Sequence, residues 1–166
     1  MPAMLTEHDL DAAVEMGYDI DEALRLDSQL CFPLWAAAKE LVRRYTPFLD
    51  ELGITYTQYL VLMLLWEKDS VGVKDLGERL LLDSGTLTPL LKKLEAKGLL
   101  TRSRSEADER AIIVELSEEG RALKRRAALV PLQMAGCFEL EPEEAMQFVG
   151  TLRKLTESVR ADAGRS

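Results

Sequence analysis

The sequence is poor in the residues from which many protein sites are built. Two cysteines, Cys31 and Cys137, close at most one intrachain disulfide, and a single histidine, His8, leaves little for a zinc site. A disulfide-stapled scaffold and a histidine-rich metal enzyme are poor readings, and no cofactor or metal is expected. Long apolar runs are missing as well. The longest, Tyr59–Trp66, has eight residues, whereas a membrane-spanning helix needs about 18–20. Residues 1–25 carry Glu7, Asp9, Asp11, Glu15, Asp19, Asp21 and Glu22 against Arg25, the reverse of the positive start and apolar middle of a secretory signal. The expectation is a cytoplasmic protein. Basic residues are in the minority, 21 against 29 acidic, for a net charge of −8 over 166 residues. Read alone, that balance argues against nucleic acid, because phosphate binding draws on Lys and Arg.

The charge is unevenly placed. Residues 74–126 hold twelve Lys and Arg against ten Asp and Glu, a local +2 that leaves −10 for the remainder. Residues 1–25 form an acidic extension with too few apolar positions for a core of their own. From Leu34 the series Leu34, Trp35, Ala38, Leu41, Val42, Tyr45, Phe48, Leu49, Leu52 follows one helix face, with a bend expected near Pro47 and an end at Gly53. Thr57 is read as the cap of a second helix through about Lys68, apolar almost all round and therefore central.

A short helix from Val73, a polar break at Asp83-Ser84-Gly85 and a second helix ended by Gly98 have the form of a helix-turn-helix. Pro89 leaves two starts for the second helix, and the earlier one, capped by Asp83 or Ser84, is favoured. Leu100–Ser105 and the alternating Ala111–Leu116 flank polar Glu106–Arg110, which predicts a β-hairpin with a charged tip. Ser117 then caps a helix through Arg121–Arg126, and Pro142 opens a last helix. The fold class is mainly α with a small β-hairpin, a winged helix-turn-helix. On this reading Ser84, Thr86 and Thr88 near the start of the second helix reach base edges and phosphates, with Asp83 at its cap and Lys92 and Lys93 further along. Arg102 and Arg104 lie on the first wing strand, while Arg110 at the tip is suited to a minor groove and Asp108 to holding it. A solvated basic surface or a protein-binding winged helix remains the plainer alternative.

The run Gln58–Leu116, with Asp-Glu-Arg at 108–110, resembles the MarR family of winged-helix repressors over nearly all of residues 26–166. Gln29-Leu-Cys-Phe32, Ile54-Thr-Tyr-Thr-Gln-Tyr-Leu60, Leu65-Trp-Glu67 and Leu82-Asp-Ser-Gly-Thr-Leu-Thr-Pro-Leu-Leu91 are similar to its organic hydroperoxide resistance branch. The resemblance implies a homodimer, with residues 26–54 and 117–166 supplying the dimerisation helices and 55–116 the DNA-binding region. It implies a repressor of a pseudo-palindromic operator, not an enzyme, released when an organic hydroperoxide oxidises Cys31. Tyr45 and Tyr56 match the tyrosines that hydrogen-bond the reactive sulfur, and Cys137 falls where a two-cysteine subgroup keeps a resolving thiol.

Elementary chemistry constrains that picture. Sulfur attacks peroxide as the thiolate, which the positive end of a helix and donated phenol hydroxyls both favour. Tyr45 stands fourteen residues beyond Cys31, roughly 21 Å along a continuous helix. A Tyr45 that touches a reactive sulfur therefore touches the other subunit's. Oxidation to a sulfenic acid would be followed by condensation with a second thiol, for which Cys137 is the candidate. Three alternatives stand beside this reading: release by a small phenolic or carboxylate ligand, a thiol peroxidase with multiple turnovers, and a scaffold that binds protein alone. The plainer reading of a cytosolic cysteine is a small buried apolar residue; the Leu-Cys-Phe context and the two matching tyrosines weigh against it at Cys31, while at Cys137 it stands beside the resolving role.

Overall fold

A computed structural model describes residues 5–105, 108, 111–137 and 139–163. In chain order the elements are α1 (Glu7–Glu15), α2 (Ile20–Ala23), a 3-10 turn (Leu26–Ser28), α3 (Cys31–Asp50), α4 (Tyr56–Glu67), β1 (Val71–Gly72), α5 (Val73–Leu80), α6 (Ser84–Ala96), β2 (Leu100–Arg104), β3 (Ile112–Leu116), α7 (Glu118–Ala127), α8 (Leu129–Ala135) and α9 (Pro142–Ala163). They fall into two compact units, one drawn from the described residues of Met1–Ala38 and Phe138–Ser166, the other Lys39–Cys137. Among the described residues no helix is long and apolar enough to cross a membrane.

The Lys39–Cys137 unit holds every buried apolar side chain of the described residues, from Leu49 to Met134. Its centre is α4, whose Val61, Leu62, Leu64 and Leu65 are buried on all sides against α5, α6, α7 and β3. The start of α4 differs from the sequence expectation. Thr55, not Thr57, is the cap, because Gln58 stands three residues on and closes a capping box with it. Gln58 is itself buried, and its Oε1 accepts from the Thr55 backbone N–H at 3.0 Å and from Lys97 Nζ at 3.2 Å. Burial of that amide is thus compensated by charge-assisted bonding.

The helix-turn-helix is α5 and α6. Leu76 is buried and Val73 and Leu80 pack beside the core, one face of α5. Leu81 ends the helix in the left-handed region at φ 57°, and the Leu82 N–H donates to the Gly77 carbonyl at 2.9 Å. A Cβ on Gly77 would lie 2.9 Å from the Leu82 oxygen, so this turn is tight enough to require glycine there. Helix α6 starts at Ser84, as favoured from the sequence, and continues past Pro89.

The wing strands β2 and β3 pair antiparallel, Leu100 opposite Leu116 and Arg104 opposite Ile112. A third strand unforeseen from the sequence, β1, adds to the other edge of β3 through Val71 opposite Val114. Two residues are too few to show an alternation. Ser117 caps α7 as expected, and the first turn of α7 sits directly on the strand junction. A Cβ on Gly120 would come within 2.0 Å of the Leu99 carbonyl oxygen, while the Gly120 carbonyl accepts from Trp66 Nε1 at 2.9 Å. Asp69 completes the junction by accepting from the Leu116 N–H at 2.9 Å and from Arg121.

In the other unit no described residue is buried. Thr6 and Asp9 make the capping box that starts α1, an element the acidic composition concealed. Helix α3 begins at Cys31 instead of Leu34, since Pro33 falls in a first turn, where its missing N–H costs nothing. The helix passes through Pro47 to Asp50 and is closed by Gly53 at φ 70°.

Candidate nucleic-acid interface and sulfur sites

Leu87, Leu90, Leu91 and Leu94 bury one face of α6, which leaves Ser84, Thr86, Thr88, Lys92 and Lys93 exposed on the others. The start of the helix is tied by Asp83, whose carboxylate accepts the Thr86 N–H at 2.8 Å and the Thr86 hydroxyl at 3.0 Å. These bonds from Thr86 hold the Asp83 carboxyl below its usual range. An ionised cap of this kind fixes the first turn and leaves Ser84 and Thr88 as outward hydroxyls.

The wing is bonded to this helix by one cation. Arg102 on β2 donates from Nε to Glu95 Oε2 at 3.1 Å and from Nη2 to the same oxygen. The Arg102 hydrogen bond, with its charge, lowers the Glu95 carboxyl below the ordinary carboxylate value. The charge of Arg102 is therefore compensated inside the fold, whereas Arg104, two residues along the strand, is exposed. At the hairpin end Ser105 N–H donates to the Ala111 carbonyl and Ala111 N–H to the Asp108 carbonyl, both at 2.9 Å, with Asp108 exposed. Arg110 lies outside the described residues.

Tyr45 on α3 and Tyr56 at the start of α4 are brought together, with ring centroids 5.0 Å apart, and Tyr59 stands 6.3 Å from Tyr45. Burial pushes all three phenols above their ordinary value, and at Tyr45 the neighbouring Tyr56 adds to the effect. At neutral pH they are thus hydrogen-bond donors and not phenolates. Cys31 is exposed as the first residue of α3, at the positive end of its dipole. The chain entering it is tied locally, with Gln29 Nε2 donating to the carbonyls of Ala23 and Arg25. Cys137 is half-buried, and Arg44 Nε donates to its sulfur at 3.1 Å.

Sequence reasoning overlooked three participants. Glu95 faces Arg102 across the α6 terminus, and opposite charges seven residues apart around Lys97-Gly98 were a usable cue. Thr6-x-x-Asp9 was a readable capping box. Arg44 gave no cue, since 93 residues separate it from Cys137 and an arginine on an amphipathic helix reads as solvated.

Residues 43–127 match the family model described as transcriptional regulator SarA/Rot. The chain is 46% identical over 136 residues to the organic hydroperoxide resistance transcriptional regulator of Bacillus subtilis, covering 82% of this chain and 92% of that protein. Reduced AbfR bound to DNA, a protein of Staphylococcus epidermidis, superposes with a TM-score of 0.73 at 32% identity over 84% of this chain and 96% of its own. The disulfide-formed AbfR gives 0.60 at 34% identity over 82% and 96%. By sequence and by architecture, this chain belongs to the MarR-type winged-helix transcriptional regulators, in the branch of the organic hydroperoxide resistance regulator, SarZ and AbfR.

Proposed function

We propose that two copies of this chain form a cytoplasmic repressor that holds a pseudo-palindromic DNA duplex and releases it when an organic hydroperoxide oxidises Cys31. Residues 26–54 and 117–166 would carry the dimer contacts and 55–116 the reading of DNA, with 1–25 an acidic extension. The observation that carries the reading is the capped, outward polar face of α6 with the wing bonded to the same helix through Arg102 and Glu95. Ser84, Thr86, Thr88, Lys92 and Lys93 enter the major groove from α6. Arg104, Asp108 and Arg110 belong to the wing, which lies along the adjacent minor groove, and Arg102 sets its position.

The Cys31 thiolate attacks the hydroperoxide, the O–O bond breaks, an alcohol leaves and a sulfenic acid remains on sulfur. The Cys137 thiol of the other subunit then attacks that sulfur; an S–S bond forms and the oxygen departs as water. Protonated Tyr45 and Tyr56 donate to the Cys31 sulfur of the partner subunit and orient it for the attack. Closure of the disulfide displaces one reading helix relative to the other, and half-site spacing on the duplex makes small displacements costly.

The test is duplex binding by fluorescence anisotropy before and after organic hydroperoxide, for the parent and for Cys31→Ser. The parent releases DNA and the variant retains it. Release by Cys31→Ser would overturn the cysteine mechanism. A second reading, release by a small phenolic or carboxylate ligand, is favoured by one observation, a cleft of about 750 Å³ lined by Val73, Leu82, Leu87, Ile113 and Lys74. It predicts release by such a ligand with both thiols reduced.

A further inference from the structure

Cys137 does not hold its sulfur alone. Its N–H donates to the Met134 carbonyl at 2.9 Å and its Sγ to the Gln133 carbonyl at 3.6 Å, at the end of α8. From α3, Arg44 Nε donates to the same sulfur at 3.1 Å, and the Arg44 guanidinium lies over the Phe48 ring at 5.6 Å from its centroid. The ring supports the planar cation and restricts where its donors point. With the S–H directed at the Gln133 carbonyl and a charge-assisted N–H directed at the sulfur, the orientation of the sulfur lone pairs is fixed from two sides. Beside the arginine, on α3, is an open depression of about 350 Å³ lined by Glu40, Arg43, Arg44 and Pro47.

We propose that Arg44 is the positioning residue of the resolving step: through Nε it orients the Cys137 sulfur, and it stabilises the charge that develops there as that sulfur attacks the sulfenic acid on Cys31 of the partner subunit. The inference rests on the redox reading above and adds a residue to it. In the step it serves, the Cys137 sulfur supplies the electron pair of the new S–S bond. The S–O bond of the sulfenic acid breaks, and its oxygen takes up the proton lost by the thiol and leaves as water. Arg44 keeps its charge throughout and is neither oxidised nor reduced. Phe48 acts one contact further out by supporting the guanidinium.

Two measurements on the full-length dimer test this. In the first, Cys137 alkylation by neutral iodoacetamide is followed in a Cys31→Ser background, where Cys137 is the remaining thiol. Arg44→Met is expected to slow alkylation about tenfold, and Arg44→Lys to recover part of the loss because it returns the charge without the aligned donor. A role in packing alone would leave Lys no better than Met. In the second, both cysteines are present, one equivalent of cumene hydroperoxide is added, and the conversion of trapped sulfenic acid to disulfide is timed. Arg44→Met is expected to prolong the sulfenic acid by a similar factor. Alkylation at the parental rate in Arg44→Met, or equal rates for Lys and Met, overturns the proposal whatever Cys31 does. A parent that accumulates sulfenic acid with Cys137 untouched overturns the two-cysteine reading instead, and the alkylation rates still decide the role of Arg44.

Discussion

The Lys39–Cys137 unit and the terminal unit are built from the same chain on opposite terms. In the first, α4 is surrounded and Leu62, Leu76, Leu94 and Val114 are fully buried. In the second no described residue is buried, and Trp35, Met146 and Phe148 are 58%, 71% and 52% exposed. A folded monomer does not ordinarily leave aromatic and aliphatic chains of one unit so open. On the proposed reading the buried core of the first unit forms within one copy, whereas the open apolar chains of the terminal unit, together with Leu129 and Leu132 at 56% and 71% exposure near the end of the first, are the surface that a second copy would cover.

Substitutions can break that contrast from either side. Gly120→Ala strikes the self-contained unit hardest, because the added methyl meets the backbone oxygen of Leu99, which cannot swing away. A loss of about 3 kcal/mol or more is expected in urea unfolding. Leu94→Ala, which empties part of the same core, should cost about 2–5 kcal/mol. Phe148→Glu should behave differently: about 2 kcal/mol lost from subunit association, read by sedimentation, with the near-ultraviolet signature of the reading unit retained. Unfolding of the whole chain by Phe148→Glu would erase the distinction between the units.

On the proposed reading the helix-turn-helix and wing divide into contacts and supports, and salt dependence separates them. Lys92→Ala should weaken duplex binding and reduce the slope of log K against log salt by about one. Glu95→Gln should weaken binding several-fold with the slope unchanged, because it frees the wing from α6 without touching a phosphate. A changed slope for Glu95→Gln would contradict the support role.

The sequence showed the reading unit more fully than the terminal one, for a physical reason. Caps, turns and alternation act locally: Asp83 before α6, Gly98 after it, Ser117 before α7 and the alternation of 111–116 all carry their signal within a few residues. Thr55 was displaced by two positions only because Gln58 completes a box that Thr57 cannot. Strand β1 was invisible, since a two-residue strand exists only through its pairing with β3. At the candidate sulfur site, resemblance and helix arithmetic put Cys31, Tyr45, Tyr56 and Cys137 forward, but Arg44 meets Cys137 solely through tertiary packing. The role of the exposed apolar residues of α9 is equally illegible, because no local signal in the chain says what covers them.

The smallest predicted effect concerns pH. Phenols raised above their ordinary value in the folded state are protonated below about pH 10, where their contribution to stability is complete, and that contribution is lost as pH rises through the folded-state values. The urea midpoint should fall on alkaline titration, less steeply in Tyr45→Phe. An identical decline in parent and variant would remove Tyr45 from the account.

Cysteine-triggered release is tested most simply by a stepwise titration of the DNA-bound dimer with cumene hydroperoxide, with anisotropy and intact mass read on the same samples. DNA is expected to leave in proportion to the fraction of protomers oxidised at Cys31, with release complete near one equivalent per protomer. DNA that stays bound after every Cys31 has been converted to disulfide would contradict it.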